Sequence, residues 1–286
     1  MTKKREKPIY SWKAFYTPRV MKKKRMVPVF LTACLFIILI TVVRLEPSAL
    51  TKEQKKALQK ELSSLSREES KRLKELFDYH FFFSDFAYTL FGTKPMSIGR
   101  LLSTPKAKKG WEAWEKIKGS FDSKEFIIRK YTSNHHEFIL VANLEKIEQI
   151  YYQNQQWFDE VFKGRMTFSA LILCLREDGP LFQELIHDHL LVGILLGYGA
   201  YNAELFAKNQ GLSEEKRTVL YSFSGKIHPI FYLFSETMPV SFACDPTTEE
   251  TKELKQRYAK ERKEILKMAK RDPLLTQMLA KLLRKS

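Results

Sequence analysis

Residues 26–43 read MVPVFLTACLFIILITVV, an uninterrupted run without a single charge. At 1.5 Å per helical residue the run reaches about 27 Å, close to the roughly 30 Å of a bilayer's hydrocarbon core. MKKKR precedes it and Arg44 and Glu46 follow it at once. This pattern predicts a single-pass transmembrane anchor with a basic collar, and it divides the chain into a tail of residues 1–25, the anchor 26–43, a body 44–246 and a C-terminal segment 247–286.

The chain of 286 residues carries a net charge of +16, and its distribution matters more than its sum. Residues 1–25 hold ten Lys/Arg against one Glu, and residues 247–286 hold twelve against six acids, which leaves the middle nearly neutral. A nucleic-acid-binding fold carries its basic charge on the folded face, so this partition argues against one. The excess before the anchor follows the positive-inside rule instead. It predicts an inner-membrane protein with a cytoplasmic N-terminus and a periplasmic body. A cleaved signal fits less well, because the basic region is long and no small-x-small site precedes Arg44. Leu31-Thr-Ala-Cys34 has the form of a lipoprotein box, but the apolar run continues past Cys34. Cys174 and Cys244 are read as buried free thiols that an oxidising compartment would allow to pair.

Beyond the anchor the periodicity is chiefly helical, so the fold class expected is mainly α (α+β), a mostly helical body with one small β-hairpin. Thr51-Lys-Glu-Gln54 and Ser66-Arg-Glu-Glu69 match the capping-box spacing. The second opens a helix with Leu73, Leu76, Phe77 and His80 on one face, which Gly92 and Pro95 are expected to stop, Gly92 as a left-handed cap. Residues 106–118 form a short helix with Trp111, Trp114 and Ile117 aligned. Two β-rich runs around Thr132-Ser-Asn-His-His136 predict the hairpin near 125–142. Residues 143–163 and 167–176 then read as helices, and Asp178-Gly-Pro180 as a break. A long apolar helix is expected over 181–209, with Gly193, Gly197 and Gly199 allowing another backbone to approach. Residues 213–224 read as helix and 227–244 as extended. A charged helix begins at Thr247-Thr-Glu-Glu250. After Asp272-Pro273, the residues Leu274, Leu275, Met278, Leu279 and Leu282 form a broad apolar stripe, which must dock on the body, a protein partner or the membrane surface.

Catalytic candidates centre on Glu184, His187, Asp188 and His189. Glu184 and His187 make the Glu-x-x-His unit of di-iron bundles, which need two such units, and the chain holds one. The dipeptide His187-Asp188 resembles that of the HD phosphohydrolases, in which it binds metal; His135 or His136, together with Asp245, would complete the ligand set. No phosphate-cradling glycine loop or nucleophile elbow is present.

Tyr88-Thr-Leu-Phe-Gly-Thr-Lys-Pro-Met96 and Leu191-Val-Gly-Ile-Leu-Leu-Gly-Tyr-Gly-Ala-Tyr-Asn202 resemble stretches of a group of uncharacterised membrane-anchored proteins from Chlamydia-like bacteria, as does Asp245-Pro-Thr-Thr-Glu-Glu-Thr251. The resemblance implies a Gram-negative envelope setting and carries over no activity or cofactor. The first function expected is therefore a non-enzymatic envelope binding module, and the alternative is a metal-dependent hydrolase centred on His187 and Asp188.

Overall fold

The computed structural model describes residues 51–121, 123–210, 212, 221–222 and 239–283. The basic tail, the anchor, Cys34, most of the expected 213–224 helix and most of the 227–244 stretch lie outside them. Among the described residues no helix is long and apolar enough to cross a membrane. The body is mostly helical with a small three-stranded antiparallel sheet.

Both capping boxes form. Thr51 and Ser66 accept hydrogen bonds from the amides of Gln54 and Glu69, whose side chains reach back to the cap amides, and so start α1 (Lys52–Leu62) and α2 (Arg67–Phe83). Leu73, Leu76, Phe77 and His80 are buried along one side of α2. The helix does not run on to Gly92. It ends at Phe83, Asp85 turns into the left-handed region at φ 59°, and α3 (Phe86–Phe91) follows. The turn is held from outside the helix. The Lys94 ammonium lies 3.3 Å from the Asp85 carboxylate, and the Ser97 hydroxyl donates to the Asp85 carbonyl at 3.1 Å. Gly92 is extended at φ −107°, not left-handed.

Strand β1 (Met96–Arg100) is not announced by the local sequence pattern. Next come α4 (Pro105–Ile117), capped by Thr104 and burying Trp111, Trp114 and Ile117, and a 3-10 turn over Lys118–Phe121. The hairpin comprises β2 (Phe126–Ser133) and β3 (His136–Asn143). Its turn is only Asn134-His135, with φ 49° and 63°, the paired positive angles of a two-residue hairpin connection. β3 lies between β1 and β2, with Met96 opposite Ala142 and Phe126 opposite Asn143.

The expected 143–163 helix is divided at Asn154 into α5 (Leu144–Gln153) and α6 (Gln155–Phe162); the Asn154 side chain donates to the Ile150 carbonyl at 2.8 Å. α7 (Phe168–Arg176) follows. The expected 181–209 helix is three helices, α8 (Pro180–His187), α9 (His189–Leu195) and α10 (Ala200–Gln210). Asp188 separates the first two by capping α9, and Gly197 and Gly199, at φ +72° and +87°, reverse the chain before the third. Tyr221–Ser222, expected as helix, is a short strand β4 paired with β5 (Ala243–Cys244). The last helices are α11 (Glu249–Arg271), capped by Thr248 and not Thr247, and α12 (Leu274–Leu283).

Alternation along the strands makes the sheet a partition. Ile139, Val141 and Phe126 face one apolar core, shared with α1, α2, α3, α4, α11 and α12. Leu140, Ala142, Ile127 and Met96 face a second core, shared with α5 to α10. β3 is therefore buried on both faces, which is why it reads as the unbroken run Phe138 to Ala142. The α12 stripe belongs to the first core: Leu274, Leu275, Met278, Leu279 and Leu282 are buried, and the helix packs on α1, α2 and the 3-10 turn. A protein partner gripping those five side chains would have to displace them from the body's own interior.

Candidate functional site

The candidate catalytic cluster is used locally. Glu184 pairs with Arg165 at 2.9 Å, the His187 ring lies 2.7 Å from the Gln183 carbonyl, and Asp188 accepts the Leu191 amide at 2.8 Å as the cap of α9. His189 meets the Phe206 ring edge-on and lines an apolar cavity of about 290 Å³ with Val192, Leu196 and Phe206. His135 and His136 lie at the hairpin tip, His136 beside Arg100 at 3.0 Å, while the Asp245 carboxylate closes a turn on the Thr247 amide and hydroxyl. Among the described residues no three His, Cys, Asp or Glu side chains converge as metal ligands would.

A different set of residues does converge. Where β3 passes into α5 and the chain enters β1, the two helical layers part. Between them lies a cleft of about 470 Å³. One wall is the α5 face bearing Lys146, Gln149, Ile150 and Gln153, and the opposite wall is the α11 face bearing Glu250, Glu253, Leu254, Arg257 and Tyr258. Spacings of three, four and seven residues place each set on one side of its helix. Thr93, Pro95, Gly197, Gly199 and Ala200 complete the lining, with Pro95 packed against Gly197. The two motifs singled out in the sequence, around 88–96 and 191–202, thus meet here.

Each wall is locked to its neighbours. The Tyr258 hydroxyl donates to the Gly197 carbonyl at 2.8 Å. A Cβ on Gly197 would stand 2.6 Å from that hydroxyl, so glycine is required both by its φ and by the close approach. Gly193 lets Ala203 approach, so the backbone that packs on the glycine stretch is α10, the continuation of the same chain. Asn202 accepts the Asp245 amide at 3.1 Å and contacts the Thr251 hydroxyl at 3.0 Å, which fixes the start of α11 beside the glycine turn.

The electrostatics are graded along the cleft. At one end the Lys146 ammonium donates to the Gly92 carbonyl. Its pKa is pushed down to about 8, chiefly by burial and then by Lys281, against the opposing pull of Glu261, Glu145 and Glu125. Glu261 accepts the Thr93 hydroxyl at 2.5 Å beneath this end. At the other end the Glu250 carboxylate rests against Gly199, with Oε2 shielded from solvent and without a donor among the described residues. Behind the glycine turn, Lys94 is buried over the Tyr198 ring at 4.7 Å and paired with Asp85. Burial lowers its pKa and raises that of Asp85, each opposed by the other's charge.

Lys146, Gln149, Glu253 and Arg257 did not stand out in the sequence as site residues, and Glu250 did so only as part of a helix start. Their signal is a polar face at helical spacing, which any solvated helix also presents. Compared with protein-family models, curated proteins and solved structures, the chain matches none of them.

Proposed function

We propose that the protein is a single-pass inner-membrane protein, anchored through residues 26–43 with its N-terminus in the cytoplasm. Its periplasmic body is a binding module whose ligand occupies the cleft between α5 and α11. The observation that carries the binding reading is the convergence of two polar helix faces and both glycine- and proline-bearing turns on one cavity. A cavity of this size with a few placed polar groups suits a small ligand. The topology is supported by the Lys/Arg excess of the first 25 residues. The resemblance to uncharacterised membrane-anchored proteins of Chlamydia-like bacteria, which implies an envelope setting, agrees with it.

Two measurements test this reading. A reporter active only in the periplasm works when fused after Ser286 and fails when fused at Met1; the reverse result overturns the topology. For the cleft, the full chain in detergent is titrated by calorimetry with four probes: an amino acid (alanine), a short peptide (tri-alanine), a dicarboxylate (succinate) and a sugar phosphate (glucose 6-phosphate). Gln149→Trp, at an exposed position, fills the cleft without touching the core. Binding of at least one probe, abolished by that variant, is the expected result. Binding that ignores the variant, or no binding by any probe, overturns the cleft as the site.

A further inference from the structure

The distribution of charge inside the cleft narrows the ligand. Glu250 and Glu253 stand in the first turns of α11, and Arg257 follows on the same face. Glu250 and Arg257 are seven residues apart, about 10 Å along a helix axis. Lys146 lies toward the Arg257 end, because it donates to the carbonyl of Gly92, the glycine against which Glu261 packs. The cleft is thus anionic at one end and cationic at the other. Glu261 offsets part of the positive end, while Lys146 and Arg257 both line the cavity itself.

Acidic residues in a first helical turn also favour the helix dipole, and Glu249 needs no other reason. Glu250 differs. Its Oε2 packs on Gly199 out of water's reach, which holds the carboxylate and its negative charge at the cleft wall. An ammonium group would supply up to three donors and the opposite charge. A carboxylate placed about 10 Å away would meet Lys146 and Arg257, whose fork can hold it through two bonds. Three extended residues span at most about 10–11 Å. Between the ends, the carboxamides of Gln149 and Gln153 offer donors and acceptors suited to peptide groups, with Ile150 and Leu254 adding apolar surface from the two walls.

Resting on the binding reading above, we infer that the cleft takes a short unblocked peptide of about three residues, its ammonium at Glu250 and Glu253 and its carboxylate at Lys146 and Arg257.

Calorimetry on the full chain in detergent tests this with tri-alanine, N-acetyl-tri-alanine and tri-alanine amide. Free tri-alanine binds, and each blocked form binds at least tenfold more weakly. Glu250→Gln weakens tri-alanine at least tenfold and N-acetyl-tri-alanine less than twofold. Arg257→Gln shows the mirror pattern, with tri-alanine amide the insensitive probe. Because each variant is judged by a peptide that should ignore it, general misfolding is distinguished from loss of a charge contact. Tri-alanine also slows acetylation of Lys146, read by mass spectrometry of peptides from the labelled chain. Equal binding of free and blocked peptides, or variants that weaken all three alike, overturns the inference. If succinate or glucose 6-phosphate binds in a Gln149→Trp-sensitive manner and tri-alanine does not, the peptide assignment falls and the cleft stands. If no probe binds, both fall.

Discussion

His80 lies fully buried in α2, stacked on Phe86 at 4.7 Å with its Nδ1 3.0 Å from the Ser84 hydroxyl. Burial pushes its pKa down from 6.5 to about 4. The folded state thus holds the proton less tightly than the unfolded state, which binds it as the pH falls through 6.5. At pH 7 the imidazole is mostly neutral in both states, so folding displaces little proton, and stability declines from about pH 6.5 until the folded form also titrates near pH 4. Between pH 7 and 4.5 this single residue should remove about 2–3 kcal/mol. Urea unfolding of the wild type and of His80→Phe across that interval checks it: the variant should lose less stability, and parallel curves would exclude His80 as a cause. Gly197 sets a different constraint. Alanine there must adopt φ +72° and place Cβ 2.6 Å from the Tyr258 hydroxyl and 2.9 Å from Pro95. The left-handed conformation costs roughly 1–2 kcal/mol, and displacing Tyr258 adds to that. For a body of this size the melting temperature should fall by about 4–10 °C. Gly119→Ala, without a positive φ and with nothing within 4 Å, should leave it nearly unchanged.

At the scale of elements, α12 shows how a short amphipathic helix becomes part of a core. Ten residues are marginal as an isolated helix, and Asp272-Pro273 detaches them from α11. The helix is held because its apolar side fills the space beside α1, α2 and the 3-10 turn, and because Gln277 donates to the Met268 and Asp272 carbonyls at 2.7 and 2.9 Å. Leu279→Ala, at a side chain with no exposure, should cost about 2–5 kcal/mol in chemical denaturation. A cost below about 1 kcal/mol would mean that α12 is not integral to the core. The hairpin is an element of the opposite kind, specified locally. Its two strands carry the β-rich runs, and its tight turn needs only Asn134 and His135 to accept positive φ.

At the scale of the molecule, the sheet keeps two cores apart, and the cysteines report on that division. Cys174 sits in the core beneath α7 and Cys244 in the one beneath α11, both free and buried. Burial pushes the Cys174 thiol up to about 12 and raises that of Cys244 as well. A thiol far above neutral pH and shielded from solvent reacts slowly. N-ethylmaleimide should therefore modify neither residue in the native protein within minutes and both after denaturation, counted by peptide mass spectrometry. Rapid native labelling, or a disulfide linking the two, would contradict the two-core packing.

Much of this body was legible in the chain because the signals are short-ranged. The capping boxes at Thr51 and Ser66 join residues three apart, the hairpin joins neighbouring runs, and the apolar faces of α2, α4 and α12 follow from helical periodicity. The charge partition is likewise a property of composition along the chain. The rest depended on residues far apart in sequence. Asp85 leaves the helix to meet Lys94, and β1 is a strand because β3 offers it an edge. The expected 181–209 helix folds back at Gly197, where Tyr258, 61 residues away, binds the turn's carbonyl. Thr251 is anchored to Asn202 across 49 residues. Local periodicity predicts which side of a helix is apolar, but it cannot say which polar sides will face one another. The cleft between α5 and α11 exists only because tertiary packing brings two ordinary polar faces together.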